Sequence, residues 1–381
     1  MTWLNEEERR GSWVGRVWRP GIGPSVVTIR GGEVVDITGP HAPTVRDVCE
    51  LPEPEDWVRS APGEVIGTLD EIAAAEPGNP EAVHFLAPCD LQAVKACGVT
   101  FARSMVERVI EEKAGGNPKR AEAIRERVGI IIGDSLRNIT PGSPEAQVVK
   151  KALIEEGLWS QYLEVGIGPD AEIFSKAQVL SAVGPGAEVG LHPISNWNNP
   201  EPEVVLAVAS TGRIVGACLG NDVNLRDVEG RSALLLSKAK DNNASASLGP
   251  LIRLFDSGYT LDDVRRAELT LTLTGEDGFE MTGHSSMSEI SRDPEDLARQ
   301  CCGRHHQYPD GFMLYLGTLF APTEDRDVEG EGFTHKLGDL VRIESPGLGQ
   351  LVNTVRLSTE CREWTFGIRA LMENLAGRGL L

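Results

Sequence analysis

Two apolar runs stand out in the hydrophobic pattern of this chain. Val204-Val205-Leu206-Ala207-Val208 and Ile214-Val215-Gly216-Ala217-Cys218-Leu219-Gly220 are separated by the turn signal Ser210-Thr211-Gly212-Arg213. Short continuous apolar runs bounded by turn residues read as buried strands, and two of them across such a turn read as a hairpin. An earlier hairpin is predicted from Val26-Val27-Thr28-Ile29-Arg30, Gly31-Gly32 and Glu33-Val34-Val35-Asp36-Ile37. Short helices are expected over Thr44–Cys49 and Leu69–Ala75. From Phe101 to about Arg127 the pattern becomes helical. Met105, Val106, Val109 and Ile110 are apolar, while Arg103, Glu107, Arg108, Glu111 and Glu112 are polar. Ala114-Gly115-Gly116-Asn117-Pro118 divides that segment into two helices, as a mobile cap would require, and a third helix is expected over Glu145–Glu156. Short strands with Gly/Pro turns follow, closed by a helix over Gly367–Leu375.

Pro77-Gly78-Asn79-Pro80 and Leu86-Ala87-Pro88 mark a boundary near residue 88. The expected class is therefore α+β, mainly β. A small N-terminal α/β module (1–88) would precede a catalytic unit (89–381) carrying a helical cap at about 101–157. No internal repeat or low-complexity tract interrupts this plan.

Composition narrows the partners. With 381 residues the chain can bury a large core, and 37 basic against 57 acidic residues give a formal charge of −20. Such a surface disfavours nucleic acid and anionic membrane as partners. No run of 18 apolar residues occurs, and the opening Met1-Thr2-Trp3-Leu4-Asn5-Glu6-Glu7-Glu8 does not read as a signal peptide. Seven scattered cysteines suit reduced thiols and a cytoplasmic location.

The candidate chemistry sits at the rims of the two apolar strands. Glu201 and Glu203 flank Pro202, so strand periodicity points both carboxylates the same way. Asp222 lies just past the second strand, and the hairpin would return it beside them. Three oxygen ligands of this kind suit Mg²⁺ or Mn²⁺ and leave positions open for water or substrate. Lys240 would bring the loaded site near neutrality and favour an anionic substrate. Without these turn-rich rims an E-x-E would simply be a solvated strand face. Cys301-Cys302-Gly303-Arg304-His305-His306 offers zinc-like spacing, but Gly303 weakens the helix, and a packed structural segment is expected.

These residues fall in an ordered series of blocks. Ile167–Lys176 with its Phe174-Ser175-Lys176, Glu201-Pro202-Glu203 and Asn221–Asp227 come first. Lys240 with Leu248-Gly249-Pro250, Gly317-Thr318, Gly338–Val341 and Gly349–Val355 continue the series. Over roughly residues 95 to 375 the series resembles the fumarylacetoacetate hydrolase family. Leu158–Glu164 and Ser237–Ser245 are similar to the branch that dehydrates 2-keto-3-deoxypentonates. The resemblance implies a mixed β-roll, a homodimer or higher homo-oligomer, and Mg²⁺ held by Glu201, Glu203 and Asp222. It also implies substrate contacts at Lys240, Gly317 and Thr318.

One departure bears on the reaction. Many hydrolase members carry a histidine base for water where this chain has Ser104 in Thr100-Phe101-Ala102-Arg103-Ser104. A dehydratase creates water and has no need of that imidazole. The expected reaction is thus a Mg²⁺-dependent dehydration of a 2-oxo sugar acid to 2,5-dioxopentanoate. A metal Lewis acid would acidify C3, and a proton donor would assist departure of the C4 hydroxyl. Lys240 is a candidate C3 base. Ser104 and Glu107, one helical turn apart, are candidates on the cap, with Glu107 as a proton shuttle. Arg103 and Arg226 are candidate substrate contacts, Arg226 being alternatively paired with Asp227. Lys176 and Phe174 are candidate pocket lining. A C–C hydrolase or decarboxylase of a diketo acid, and a catalytically silent structural relative, are the alternatives.

Overall fold

The computed structural model describes residues 3–115, 117, 120–121, 139–155, 159–322, 324–328 and 332–381. The side chains at 102–104, 106, 108 and 111 lie outside that description, and so does most of the second cap helix expected up to about Arg127.

The strands in chain order are β1 (Trp13–Arg19), β2 (Gly23–Arg30), β3 (Glu33–Asp36), β4 (Glu64–Thr68), β5 (His84–Leu86), β6 (Ala93–Gly98), β7 (Glu172–Ala177) and β8 (Glu188–Leu191). They continue with β9 (Pro202–Val208), β10 (Ile214–Asp222), β11 (Ala246–Leu254), β12 (Glu268–Thr274), β13 (Glu280–Ser286), β14 (Phe312–Tyr315), β15 (Leu340–Ser345) and β16 (Gly349–Leu357). A large sheet runs β4-β3-β2-β1-β11-β10-β9-β14-β6-β7, with β5 beside β1, and a smaller one runs β13-β12-β15-β16-β8. Among the strands of the described residues, only β14–β6 and β16–β8 pair in parallel. This is a mainly β, mixed-sheet fold, as expected.

Both predicted hairpins form. β2 and β3 turn at Gly31-Gly32, where φ values of +61° and +89° suit glycine. β9 and β10 pair antiparallel across the 209–213 turn. The N-terminal hairpin joins the large sheet through β1–β11 pairing at Trp13↔Arg253 and Val14↔Ile252. β1 itself gave no distinct signal, because Arg16 and Trp18 interrupt its apolar alternation. Arg16 is buried through bonds to the Ala87 and Cys89 carbonyls.

Every residue of β9 is buried because that strand faces two cores. Val204, Leu206 and Val208 pack between the sheets with Leu271, Ile343 and Leu351. Val205 and Ala207 face the opposite core with Val45, Val48 and Val58 from the helices α1 (Val45–Glu50) and α2 (Pro54–Ser60). Two-sided burial explains why the strand reads as a continuous apolar run rather than an alternating one. The helix α3 (Leu69–Ala73) and the end of the chain, Ile368–Gly377, match their expected places within two residues.

The cap residues form a third core. Met105, Val109 and Ile110 of α4 (Ala102–Ala114) pack on Leu153 of α5 (Pro144–Glu155) and on Tyr162 and Leu163 of α6 (Gln161–Ile167). Buried Arg292 donates to the Val165 and Gly168 carbonyls at 2.7 Å each, a charge-assisted cap on the C-terminus of α6.

Candidate metal centre and active site

The β9–β10 register places the acidic residues. Gly220 opposes Glu203 and Asn221 opposes Pro202, while the Asp222 N–H donates to the Glu201 carbonyl at 3.0 Å. Period-two alternation then puts Glu201, Glu203, Gly220 and Asp222 on one face. Gly220 is required there, since a Cβ would lie 2.3 Å from the Tyr315 ring. One carboxylate oxygen from each of Glu201, Glu203 and Asp222 lies within 4.8 Å of the others, and all three residues are buried.

Two lysines answer this charge. Lys240, the last residue of α8 (Leu236–Lys240), binds Glu201 and lies 3.1 Å from Asp222 Oδ2. Lys176, on β7, is fully buried with its Nζ 2.9 Å from Asp222 Oδ1, and it also donates to the Lys240 carbonyl. Fully ionised, the cluster would hold three anions against two cations.

Burial pushes the Glu203 carboxyl well above the usual carboxylate range, and the neighbouring Asp222 and Glu201 push it further. Burial would raise Asp222 too, but the ammonium groups of Lys176 and Lys240 outweigh it and hold Asp222 below its ordinary value. Burial lowers the Lys176 ammonium. A buried anion crowded by like charges is what a divalent cation would relieve, and three convergent carboxylate oxygens are the donor set that hard cations take. The residues present therefore fit a Mg²⁺-type ion.

The cluster opens into a small cleft that is partly continuous with solvent, with about 350 Å³ of atom-free space when that solvent is included. Its walls include Val99, Phe174, Glu229, Lys240, Gly317 and Thr318. Gly317 has φ +89° and donates its N–H to Glu203 Oε2 at 2.6 Å. The Thr318 hydroxyl accepts from the Phe320 N–H at 3.1 Å. Val99 holds φ +57°, a costly conformation for a β-branched residue, and such strain gathers at functional walls.

Two other sequence candidates, Glu107 and Arg226, meet each other. Glu107 is buried, not solvated, and its carboxylate lies 3.6 Å from Arg226 Nη2. Arg226, on α7 (Arg226–Glu229), stacks on Trp197 at 4.3 Å and donates to the Pro322 carbonyl. Arg226 and Asp227 do not pair; Asp227 instead accepts from Ser195 Oγ and the Asn196 N–H. The side chains of Arg103 and Ser104 lie outside the described residues.

The Gly338-Asp339 block is structural. Buried Asp339 accepts two 2.6 Å bonds from Arg326 and one from His335. Cys301, Cys302, His305 and His306 form no cluster of metal-ligand geometry among the described residues. Sequence reading missed Glu229 altogether, because a glutamate closing a four-residue helix carries no periodic signal.

Comparisons with known proteins bear on the chain's family and fold. A probable 2-keto-3-deoxyxylonate dehydratase of Haloferax volcanii is 28% identical over 257 residues, covering 67% of this chain and 84% of that protein. A 2-dehydro-3-deoxy-D-arabinonate dehydratase of Saccharolobus solfataricus is 29% identical over 188 residues, covering 49% of this chain and 58% of that protein. In fold, the chain is similar to 2-keto-3-deoxy-D-arabinonate dehydratase complexed with magnesium and 2,5-dioxopentanoate. The TM-score is 0.63 at 19% identity, over 90% of this chain and 98% of that one. Residues 168–356, from the approach to β7 through β16, match the fumarylacetoacetate hydrolase C-terminal family, and that stretch is a domain of this family.

Proposed function

We propose that this chain is a Mg²⁺-dependent hydro-lyase that converts a 2-keto-3-deoxypentonate to 2,5-dioxopentanoate. The observation that carries the reading is the buried Glu201–Glu203–Asp222 cluster opening, with Lys240, into the cavity. The dehydratase names of the two curated relatives support the substrate class.

In this reading Glu201, Glu203 and Asp222 hold the ion, Mg²⁺ before Mn²⁺. When bound, the ion supplies Lewis acidity toward the carboxylate and keto oxygens of a 2-oxo acid, lowering the barrier to loss of the C3 proton. Lys240, at the cavity wall, would receive that proton as the neutral amine, the form that burial and a bound cation beside it favour. Thr318 lines the wall facing the substrate carboxylate, and Gly317 orients Glu203 through its N–H. Phe174 and Val99 exclude water from one side. Glu107 lies outside the cavity wall, so we assign it to holding Arg226, which fixes α7 against Trp197 and Pro322. Arg103 and Ser104 remain candidate contacts from the cap. The division near residue 88 and a homodimeric or larger assembly belong to the same proposal.

The test is incubation of the protein with Mg²⁺ and each C4 epimer of 2-keto-3-deoxypentonate, following 2,5-dioxopentanoate. Product that disappears with EDTA and in Glu203→Ala supports the reading. Cleavage of a diketo acid into two acids, with no dehydration, would replace it with a C–C hydrolase.

A further inference from the structure

Dehydration requires two proton-transfer groups at different carbons: a base at C3 and an acid at the C4 hydroxyl, since hydroxide is a poor leaving group. The cavity wall limits the choice of acid. Glu201, Glu203 and Asp222 converge on one another, and Lys240 lies against two of them. The Thr318 hydroxyl is too weak an acid, and burial pushes the Cys97 thiol well above its ordinary range. The remaining carboxyl on the described wall is Glu229.

Glu229 is 4% exposed and lies outside the group whose oxygens fall within 4.8 Å of one another. Its backbone is fixed from both sides. The Glu229 N–H donates to the Leu225 carbonyl at 2.9 Å, and the Tyr162 hydroxyl reaches the Glu229 carbonyl at 3.5 Å. The adjoining Arg226 is clamped by Trp197 and Pro322. This places a carboxyl on the wall of the same cavity, apart from the ion-binding oxygens, on a turn held by these contacts.

We propose that Glu229 is a catalytic residue that carries the proton at the leaving-group end of the substrate, an inference that rests on the dehydratase reading. The C3–H bond breaks, its proton passes to the base, and its electron pair forms the C3–C4 double bond. The C4–O bond breaks with its pair on oxygen, which takes the Glu229 proton and leaves as water. The unsaturated product, 5-hydroxy-2-oxopent-3-enoate, must then lose a proton from C5 and regain one at C3. Glu229, now a carboxylate beside C4, takes the C5 proton, while the C3 base returns the one it holds. The resulting C5 enol tautomerises to the aldehyde, and both groups end in their starting states.

The experiment compares the Mg²⁺-loaded wild type and Glu229→Gln in D₂O by NMR, with each C4 epimer as substrate. In the variant, formation of 2,5-dioxopentanoate should fall by about 10²–10⁴-fold, the usual contribution of a general acid. Deuterium exchange at C3 and the Mg²⁺ affinity should persist, which also shows that the variant is folded. Wild-type turnover in Glu229→Gln overturns the proposal and leaves the dehydratase reading intact. Loss of C3 exchange together with turnover makes Glu229 a positioning residue and likewise overturns it. A wild type that dehydrates neither epimer removes the reading and the proposal together.

Discussion

Gly317 donates its backbone N–H to Glu203 Oε2 at 2.6 Å from a left-handed backbone with φ +89°. The bond fixes one carboxylate of the cluster from the far side of the cavity, and only a glycine makes it cheaply. A Cβ at this position would stand 2.0 Å from Thr100 Oγ1, which is itself bonded to the Leu316 carbonyl.

Gly317→Ala should therefore destabilise the fold by about 1–3 kcal/mol, through backbone strain and steric overlap. It should also weaken divalent-ion binding, because Glu203 loses its orientation. Urea unfolding and a Mg²⁺ titration of the variant check the two effects separately.

Lys176 is buried against Asp222, and removing one member of a buried pair leaves the other uncompensated. Lys176→Met keeps the volume and removes the charge. We expect a loss approaching about 3–5 kcal/mol, moderated because Lys240 still reaches Asp222. A variant as stable as wild type in equilibrium unfolding would contradict this assignment.

Removing the ion should lower stability by mass action. At 100 times its Kd, Mg²⁺ would stabilise the fold by about 2.7 kcal/mol relative to chelator-treated protein. Glu203→Ala should abolish that increment. Calorimetric scans with and without EDTA measure it directly.

Glu107→Gln tests whether the cap carboxylate works through Arg226. Turnover should fall by less than about tenfold, equivalent to under ~1.4 kcal/mol of barrier, since Trp197 and Pro322 still hold Arg226. A larger fall in kcat with unchanged KM would restore Glu107 to proton transfer.

Acid should weaken the protein partly through Asp256. Burial alone would raise this carboxyl, but bonds from Arg253, the Gly258 N–H and Ser12 outweigh it and hold it well below the usual carboxylate range. A depressed folded-state pKa gives stability that is full above the unfolded value of about 3.9 and is lost as pH falls through the folded value. Asp256→Asn should thus cost stability at pH 7 and progressively less in strongly acidic solution. Unfolding free energies of both proteins at pH 7 and pH 3 decide it.

The sequence by itself determined the hairpin of β9 and β10, and with it the convergence of Glu201, Glu203 and Asp222. Strand periodicity and a four-residue turn are local properties, so their geometry is legible without the rest of the chain. The ordered blocks through Lys240 and Gly317-Thr318 were legible for the same reason: each is a short segment whose chemistry is its own. What only the tertiary structure decided is who meets whom across long separations. Lys176 reaches Asp222 from another strand, Gly317 meets Glu203 from 114 residues away, and Glu107 meets Arg226 from the cap. Glu229 reaches the cavity only because α7 is held in place, with its Arg226 stacked on Trp197. These pairings depend on packing and on the shared low-dielectric interior, and no local periodicity encodes either.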